Sequence, residues 1–298
     1  MTAVFSPTHH SGAPHPRRLH AFPDIHPGGL GGGSSCRAGM RWYPLLRRIA
    51  REVEQPVTEA TPSGLDLLTR RLYAAYFHGH STTEAWPPRT DAGTLCPSTD
   101  PDEAFVARLF AEFGGRHRLR RRLLGYLTVH GTIRAGEPAE PTVRCYLNLV
   151  PETAPAIFSD VATGLEHAGI AFAGKLLDNP ANYGRPDAAV FYAGRLDAAE
   201  LARIAVASHD PAAFGAEVPA FTREVAPGIA VADDPGDGIS FGYHRCRLVA
   251  QGIAATGARE PHARLGAIID TFLRAGVDPA RPHLGPGLPE LVLDGAAA

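Results

Sequence analysis

Apolar side chains in the first part of the chain recur at helical spacing. They repeat every three or four residues over 42–57 and 65–77, as with Leu68, Leu72 and Tyr76 in the second segment. This spacing places them on one face of a helix, and the shorter stretch over 102–113 follows the same rule. We therefore predict three helices in this part, with a loop over 79–101, where Pro, Gly, Thr and Asp interrupt the pattern.

Beyond residue 125 the pattern changes to a period of two. Over 143–150, Val143 and Cys145 point one way whereas Arg144 and Tyr146 point the other, as expected for a strand with one face in the core. Further strands are predicted over 170–177 and 188–193. The helices of this half are predicted from Pro151 to Gly169, from a capping box of Asp197 and Glu200 to Ser208, from Tyr243 onward, and up to Gly276. The fold class that this indicates is α+β: an N-terminal helical part followed by a mixed β-sheet flanked by helices.

Three regions follow from these patterns. Residues 1–40 are rich in Gly, Pro, His and Ser without an apolar period, which predicts a disordered tail because little surface could be buried there. Residues 41–125 form the helical N-terminal region. Residues 126–298 form the α+β region, either as a separate domain or as one domain together with 41–125.

Composition and charge exclude several classes of protein. The chain has 298 residues, 44% of them hydrophobic, yet no apolar run approaches the roughly 18 residues of a membrane span. Its net charge of −2 gives no general attraction to nucleic acid or to an anionic membrane. The Arg-rich run over 116–122 is compatible with a solvated face or hairpin, with a peptide- or phosphate-binding patch, and with a nucleic-acid patch, for which interleaved aromatic residues are lacking.

Known motifs for metals and nucleotides are absent from the sequence. The four cysteines lie far apart with no signal peptide before them, which predicts free thiols in a cytoplasmic protein. We find no metal-ligand spacing, no phosphate-binding Gly-rich loop, no dinucleotide fingerprint and no nucleophile elbow. The sequence therefore predicts no cofactor and no metal.

Lys175 is the single lysine among the 29 basic residues, and the other 28 are arginines. In a chain with such a strong preference for arginine over lysine, a lysine is expected to be retained mainly where arginine cannot replace it. Lysine differs in carrying a compact amine that can lose its proton, so a buried lysine can act as a base. A surface lysine without function is the alternative.

The informative segments combine this lysine with several arginines and a histidine. Arg144 lies on a predicted strand, and His244, Arg245 and Arg247 lie at a predicted helix start, where an anion is favoured. This set suits an anionic substrate from which an amine removes a proton, as in β-elimination of phosphate. It suits a phosphopeptide-binding module equally.

Long motifs in this half resemble the HopA type III effector family. The resemblance covers about 140–285 and is carried by these segments: RCYLNLVP (144–151), KLLDNPANYGRPDAAVFY (175–192), VPAFTREVAPGIAVADDPGDG (218–238), SFGYHRCRLVAQG (240–252) and RPHLGPG (281–287). HopA-like proteins occur as plant-pathogen effectors. They also occur in actinobacterial gene clusters for class V lanthipeptides and thioamide peptides, where they act as phosphoserine/phosphothreonine lyases beside a kinase-like phosphotransferase.

The resemblance implies a metal-independent carbon–oxygen lyase acting on phosphates. Its substrate would be a phosphorylated precursor peptide, converted to dehydroalanine or dehydrobutyrine, and its partner a kinase-like phosphotransferase. The implied catalytic residues are Lys175 as base and His244 as general acid. The implied phosphate ligands are Arg144, Arg185, Arg245 and Arg247, and the implied substrate-positioning residues are Tyr146, Asn148, Tyr183 and Asp187.

Structural roles remain open for each of these residues. Lys175 has an alternative as an amine paired with Asp187 or Asp178, and salt bridges to Asp233, Asp234 or Asp187 would account for the arginines. His244 has an alternative as a capping or core residue, and the positioning residues have one in packing. At the level of function, the alternative is a non-catalytic phosphopeptide- or kinase-binding subunit, or an effector acting on a host protein.

Overall fold

The computed structural model describes residues 42–53, 62–77, 100–113, 118–122, 125–257 and 260–293. The predicted tail and most of the predicted loop over 79–101 lie outside these residues. The helices of the described chain are α1 (Trp42–Glu52), α2 (Pro62–Leu72), α3 (Glu103–Phe113), α4 (Ala154–His167), α5 (Ala198–Ala207), α6 (Phe241–Thr256) and α7 (Pro261–Arg274). A π-helical turn, Tyr73–Phe77, continues α2.

The described strands form one sheet in the order β1-β2-β4-β5-β3-β7-β6. They are β1 (Arg118–Arg122), β2 (Tyr126–His130), β3 (Thr142–Leu147), β4 (Phe172–Leu177), β5 (Ala189–Gly194), β6 (Arg223–Ala226) and β7 (Ile229–Asp233). The α+β class is confirmed, but every described pair is antiparallel where the sequence suggested a mixed sheet. The β3–α4–β4 unit does bring two strands into the same direction. However, β5 lies between them and is antiparallel to both.

Helices cover both faces of the sheet. One face, here the α4 face, packs against α3, α4 and α5, and its core includes Phe158, Phe191 and Leu201. The opposite face, here the α6 face, packs against α1, α2, α6 and α7, and its core includes Trp42 and Phe272. Successive strand residues alternate between the two cores because side chains alternate along a strand.

The alternation predicted for β3 is confirmed. Val143 and Cys145 lie in the core of the α4 face, whereas Tyr146 lies in the core of the α6 face. The N-terminal helices share the second core with the α+β region, since Trp42 and Leu46 of α1 belong to the same cluster as Ile268 of α7.

Helix ends differ in detail from the sequence prediction. Helix α6 begins at Phe241, two residues before the predicted start, because the Ser240 hydroxyl accepts a hydrogen bond from the backbone N–H of Tyr243 (3.3 Å). The predicted capping box of α5 does not form: Asp197 is the N-cap residue but makes no capping hydrogen bond. Its partner Glu200 instead accepts hydrogen bonds from Arg203, one turn further on.

Part of the Arg-rich run is a strand. Residues 118–122 form β1, which pairs antiparallel with β2. This arrangement agrees with the hairpin alternative for the run. In the described part of the chain, none of the helices combines the length and apolar character needed to cross a membrane.

Candidate functional site

Alternating residues of neighbouring strands bring polar side chains to the α6 face of the sheet. Lys175 on β4 is the cross-strand partner of Val190 on β5, and Tyr192, two residues after Val190, is the partner of Arg144 on β3. Cross-strand partners share a face, and diagonal neighbours lie within reach of long side chains. Lys175, Tyr192 and Arg144 therefore follow one another across three strands.

Lys175 is partly exposed and lies against an aromatic ring. Its ammonium nitrogen Nζ is 4.6 Å from the centre of the Tyr126 ring on β2, a cation–π distance that contributes about 0.5–2 kcal/mol. Among the described residues the ammonium makes no hydrogen bond and no ion pair. The alternative pairing with Asp187 or Asp178 is thus not seen in this part of the chain.

The surroundings of Lys175 favour its charged form. Burial is the largest influence on its pKa and lowers it, but the phenols of Tyr192 and Tyr126 together with the Asp187 carboxylate outweigh burial. The net effect raises the pKa of Lys175 above its ordinary value, although Arg144 acts in the opposite direction. At neutral pH the resting side chain is therefore an ammonium ion.

Several side chains near this part of the sheet are strongly desolvated although they are partly exposed. Desolvation is the largest influence on the pKa values of Lys175, Tyr126 and Tyr73. It raises the pKa of both tyrosines and lowers that of the lysine. All three nevertheless keep part of their surface accessible to solvent, as does Tyr192. We call the part of the α6 face formed by Lys175, Tyr126, Tyr192 and Arg144 the lysine recess.

Arg144 is held at one side of the lysine recess. Its Nε donates to Asp234 Oδ2 (2.6 Å), another guanidinium nitrogen donates to the Ile239 carbonyl (3.2 Å), and its Cζ is 5.3 Å from the centre of the Tyr192 ring. Burial lowers its pKa, but the phenols of Tyr146 and Tyr192 and the Asp234 carboxylate outweigh this and raise it. The side chain also hydrogen-bonds with Tyr146 and is buried, so these contacts use only part of its five donors while they fix the guanidinium in place.

Arg185 is paired with Asp187. The two side chains form a bidentate ion pair with N–O distances of 2.5 and 2.7 Å, and both are buried. Burial lowers the pKa of Arg185, but Asp187 outweighs it and raises the pKa. The pair lies within electrostatic range of Tyr126 and Tyr73. The predicted phosphate ligand and the predicted positioning residue thus neutralise each other beside the recess.

The predicted residues of α6 do not join the lysine recess through hydrogen bonds or ion pairs. The His244 Nδ1 lies 2.6 Å from an Arg245 nitrogen, and its Nε2 lies 3.9 Å from Asp237. Burial, with Arg245 next, lowers the pKa of His244 to about 4. The imidazole is therefore neutral at neutral pH, which does not suit the proton donor that the sequence suggested.

Arg245 and Arg247 also differ from the expected phosphate ligands. Arg245 is fully buried, donates to the backbone carbonyls of Pro282 and Leu284, and stacks on the Phe241 ring. Burial lowers its pKa to about 10. Arg247 is exposed on α6, within electrostatic range of Asp66 on α2.

The remaining positioning residues have packing or hydrogen-bonding roles. Tyr146 is buried, with its ring centre 6.4 Å from that of Phe241. Asn148 is buried at the end of β3 and donates to the Glu217 carbonyl (2.9 Å). Tyr183 donates to the Leu177 carbonyl and meets Phe105 edge-on at the α4 face. Tyr146 also hydrogen-bonds with Arg144, which connects it to the lysine recess.

Sequence reasoning did not single out the two tyrosines of the recess, Tyr192 and Tyr126. Tyr192 stands in an apolar strand, but its period-two position beside Val190 placed it on the face opposite Phe191, which is a usable signal. Tyr126 gave a weaker signal because its strand is short.

Comparisons with known proteins agree with this architecture. The sequence profile of the HopA1 effector protein family matches residues 117–284, more than half of the chain. The sheet, the flanking α4 to α6 and the lysine recess are largely contained in this segment. The structure thus defines an α+β protein with a seven-stranded sheet in the described residues. The family match shows that the chain belongs to the HopA1 effector protein family. No protein with a curated description matches the chain.

Two solved structures resemble the whole described fold. An effector protein from Pseudomonas syringae pv. tomato strain DC3000 aligns with a TM-score of 0.58 and 18% identity, covering 84% of this chain and 99% of that one. An effector protein from Pseudomonas syringae pv. syringae strain 61 aligns with a TM-score of 0.50 and 16% identity, covering 84% of this chain and 96% of that one. At these identities the likeness concerns the fold alone.

Proposed function

We propose that this chain is a metal-independent phosphoserine/phosphothreonine lyase that eliminates phosphate from a phosphorylated precursor peptide, with Lys175 as its base. One observation carries the proposal: the sole lysine of the chain presents an amine without a carboxylate partner among the described residues, in a recess that also contains Arg144. A phosphate entering this recess would meet the ammonium and the guanidinium together, which is the kind of charge-assisted pair that binds phosphate strongly. The implied setting is the cytoplasm, beside a kinase-like phosphotransferase that makes the phosphopeptide.

The reaction balances without a cofactor. The neutral Lys175 amine takes the proton from Cα of the phosphorylated residue, and the electron pair of the broken Cα–H bond forms the Cα–Cβ double bond. The Cβ–O bond breaks, and phosphate leaves with its electron pair. The products are phosphate and dehydroalanine from serine or dehydrobutyrine from threonine, and the ammonium then returns its proton to phosphate or solvent.

Charge in the lysine recess supports the departure of phosphate. Arg144 is aligned by Asp234 and carries a positive charge toward the leaving group, where electrostatic stabilisation of developing charge is most effective. With His244 neutral, this proposal assigns that stabilisation to Arg144 and not to a histidine acid. Arg185 serves indirectly, because it and Asp187 place opposite charges within electrostatic range of Tyr126.

The test uses synthetic phosphothreonine and phosphoserine peptides with randomised flanking positions, so that no phosphotransferase is needed to prepare them. Mass spectrometry should show a loss of about 98 Da, the mass of phosphoric acid, with the wild type and not with Lys175→Ala, because proton abstraction needs the amine. Lys175→Arg is the matched control, since it keeps the charge but cannot act as a base. It should bind the peptides without converting them. Turnover by Lys175→Arg would contradict the proposal.

A non-catalytic binding role is the second candidate, and specific observations favour it. The family is described by its effector members, Arg185 and Arg245 are used internally, and Lys175 is an ammonium ion at rest. An effector or kinase-binding subunit could use the same recess to hold a phosphorylated segment of a partner without turnover. If the wild type binds the peptides but leaves them intact, both alone and with an added phosphotransferase, this second function replaces the first.

A further inference from the structure

The Arg-rich strand β1 continues the face of the sheet that carries Lys175. In the strand register, Arg120 of β1 lies opposite Thr128 of β2, and Thr128 lies opposite Lys175 of β4. Cross-strand partners share a face of the sheet, so these three positions form one row on the α6 face. Arg118 and Arg122, two residues to either side of Arg120, occupy positions of the same face because the positions along a strand alternate.

The other two positions of β1 belong to the opposite face. Leu119 is in register with Val129, and Arg121 is in register with Leu127. Both of these partners on β2 are buried in the core of the α4 face. The register therefore places three arginines of β1 on the α6 face and only Arg121 on the α4 face.

The α6 face is partly exposed over β2 and β4. The residues of β2 that belong to this face are partly exposed, whereas the alternate residues are buried. On β4, Ala173 and Lys175 are likewise partly exposed. Further across the sheet, Val190 of β5 and Tyr146 of β3 are buried in the core formed with the helices of the α6 face. The surface over β2 and β4 is thus less completely covered than the surface over β5 and β3, and it leads from Lys175 towards β1.

The three strands of this surface carry positive charge and contribute no carboxylate. Strand β1 contains four arginines and β4 contains the lysine, whereas β1, β2 and β4 contain neither aspartate nor glutamate. Asp187, which raises the pKa of Lys175, is itself paired with Arg185. An anionic ligand is therefore attracted to this part of the sheet, although the whole chain has a net charge of −2.

We propose that β1, through Arg118, Arg120 and Arg122, selects phosphopeptides that carry acidic residues about three positions from the phosphorylated residue. The location of the phosphorylated residue at Lys175 rests on the proposed function. Neighbouring strands lie about 4.8 Å apart, and an extended peptide advances about 3.3 Å per residue. The two strand spacings from Lys175 to Arg120 therefore correspond to about three peptide residues. An aspartate or glutamate at that distance in the peptide would lie over β1, where arginine forms charge-assisted hydrogen bonds with carboxylates.

The acidic preference is measured with two matched pairs of phosphothreonine peptides. Within each pair, one peptide has three consecutive aspartates and the other three asparagines, centred on the third residue after the phosphothreonine in one pair and before it in the other. Fluorescence anisotropy with the Lys175→Arg variant gives the dissociation constants, since this variant keeps the charge but cannot convert the peptide. In one of the two pairs, the Asp peptide should bind about tenfold more tightly than the Asn peptide, because exposed ion pairs contribute about twofold to fivefold each.

Neighbouring arginines of β1 provide matched variants. Arg120→Gln removes a charge from the row of Lys175 and should reduce the preference for Asp by about twofold to fivefold. Arg121→Gln removes the same charge from the opposite face and should leave the preference unchanged. Arg120→Lys should retain the preference, because an exposed ion pair depends mainly on the charge. The triple variant Arg118→Gln/Arg120→Gln/Arg122→Gln should abolish it, and if this variant does not fold, each of its single substitutions should cause part of the loss.

The outcomes separate the role of β1 from the proposed function. Equal affinities for the Asp and Asn peptides in both pairs, or an equal loss of preference in Arg120→Gln and Arg121→Gln, would overturn the role of β1 and leave the phosphate site at Lys175 untouched. An unphosphorylated Asp peptide that binds as tightly as its phosphorylated form would contradict the phosphate site alone, because the effect of Arg120→Gln on that peptide still reports the acidic preference. Stronger binding of a single-stranded RNA of equal charge, lost in Arg120→Gln, would replace the acidic peptide by nucleic acid as the ligand and overturn the proposal.

Discussion

At the scale of single residues, the Lys175 amine must lose a proton before it can remove one. The surrounding phenols and Asp187 raise its pKa above the ordinary value despite its burial. The neutral fraction is therefore small at pH 7 and grows about tenfold per pH unit below the pKa. We expect the rate of elimination under saturating peptide to rise with pH from 7 to 10 with this slope. Initial rates measured at constant ionic strength test this, and a rate that is flat or falls over that range would exclude Lys175 as the base.

Arg144 provides a second prediction at this scale. Replacing it alone would leave Asp234 without its partner, so the test is the double variant Arg144→Met/Asp234→Asn, which removes both charges. We expect phosphopeptide affinity to weaken by about 1.5–3 kcal/mol, the usual contribution of a hydrogen bond to a charged group. Titration calorimetry measures the loss. Arg203→Met, which breaks an exposed pair on α5, should leave affinity unchanged, and an equal loss in that control would show a general charge effect.

At the scale of elements, two helical glycines should respond oppositely to the same substitution. A Cβ on Gly252 of α6 would lie 2.5 Å from the backbone of Ile268 on α7, whereas a Cβ on Gly266 of α7 meets nothing within 4 Å. Gly252→Ala should therefore force the two helices apart and destabilise the protein by about 1–3 kcal/mol. Gly266→Ala should stabilise it by about 0.5–1 kcal/mol, because alanine restricts the unfolded chain. Urea unfolding measures both signs, and a stabilising Gly252→Ala would disprove the close approach.

The local pattern of apolar and polar residues was sufficient to predict most helices and strands, but not where they begin and end. The period of two in β3 and the apolar stripe of α4 predict real structure, since each is governed by one core face. The capping box at Asp197 fails because Glu200 finds a partner in Arg203, a competition that sequence spacing does not resolve. The hydrogen bond from Tyr243 of α6 to Asp66 of α2 shows the same limit, because no short-range signal encodes a contact between residues so far apart in the sequence.

At the scale of the whole molecule, the order of the strands in the sheet could not be predicted from the sequence pattern. The β-α-β-β-α order is visible along the chain, but the insertion of β5 between β3 and β4 is a non-local pairing. The sequence pattern therefore placed Arg144 and Lys175 on predicted strands, but it did not show that Tyr192 of β5 lies between them. His244, Arg245 and Tyr183 were grouped with the site by their motifs, and packing directs them to other contacts.

Because the two hydrophobic cores share one sheet, we expect them to unfold together. Cys145 lies in the core of the α4 face and Cys246 in the core of the α6 face, and burial raises the pKa of Cys145 to about 12 and that of Cys246 also. Neither thiol should react in the native state, since the thiolate is the reactive form. Because each central strand contributes side chains to both cores, loss of one core removes the support of the other. In a Cys36→Ser/Cys96→Ser background, pulsed alkylation across a urea series should label Cys145 and Cys246 with the same midpoint. A lower midpoint for Cys246 would instead show that α1, α2, α6 and α7 detach from the sheet as a separate unit, which would open the lysine recess before the rest of the protein unfolds.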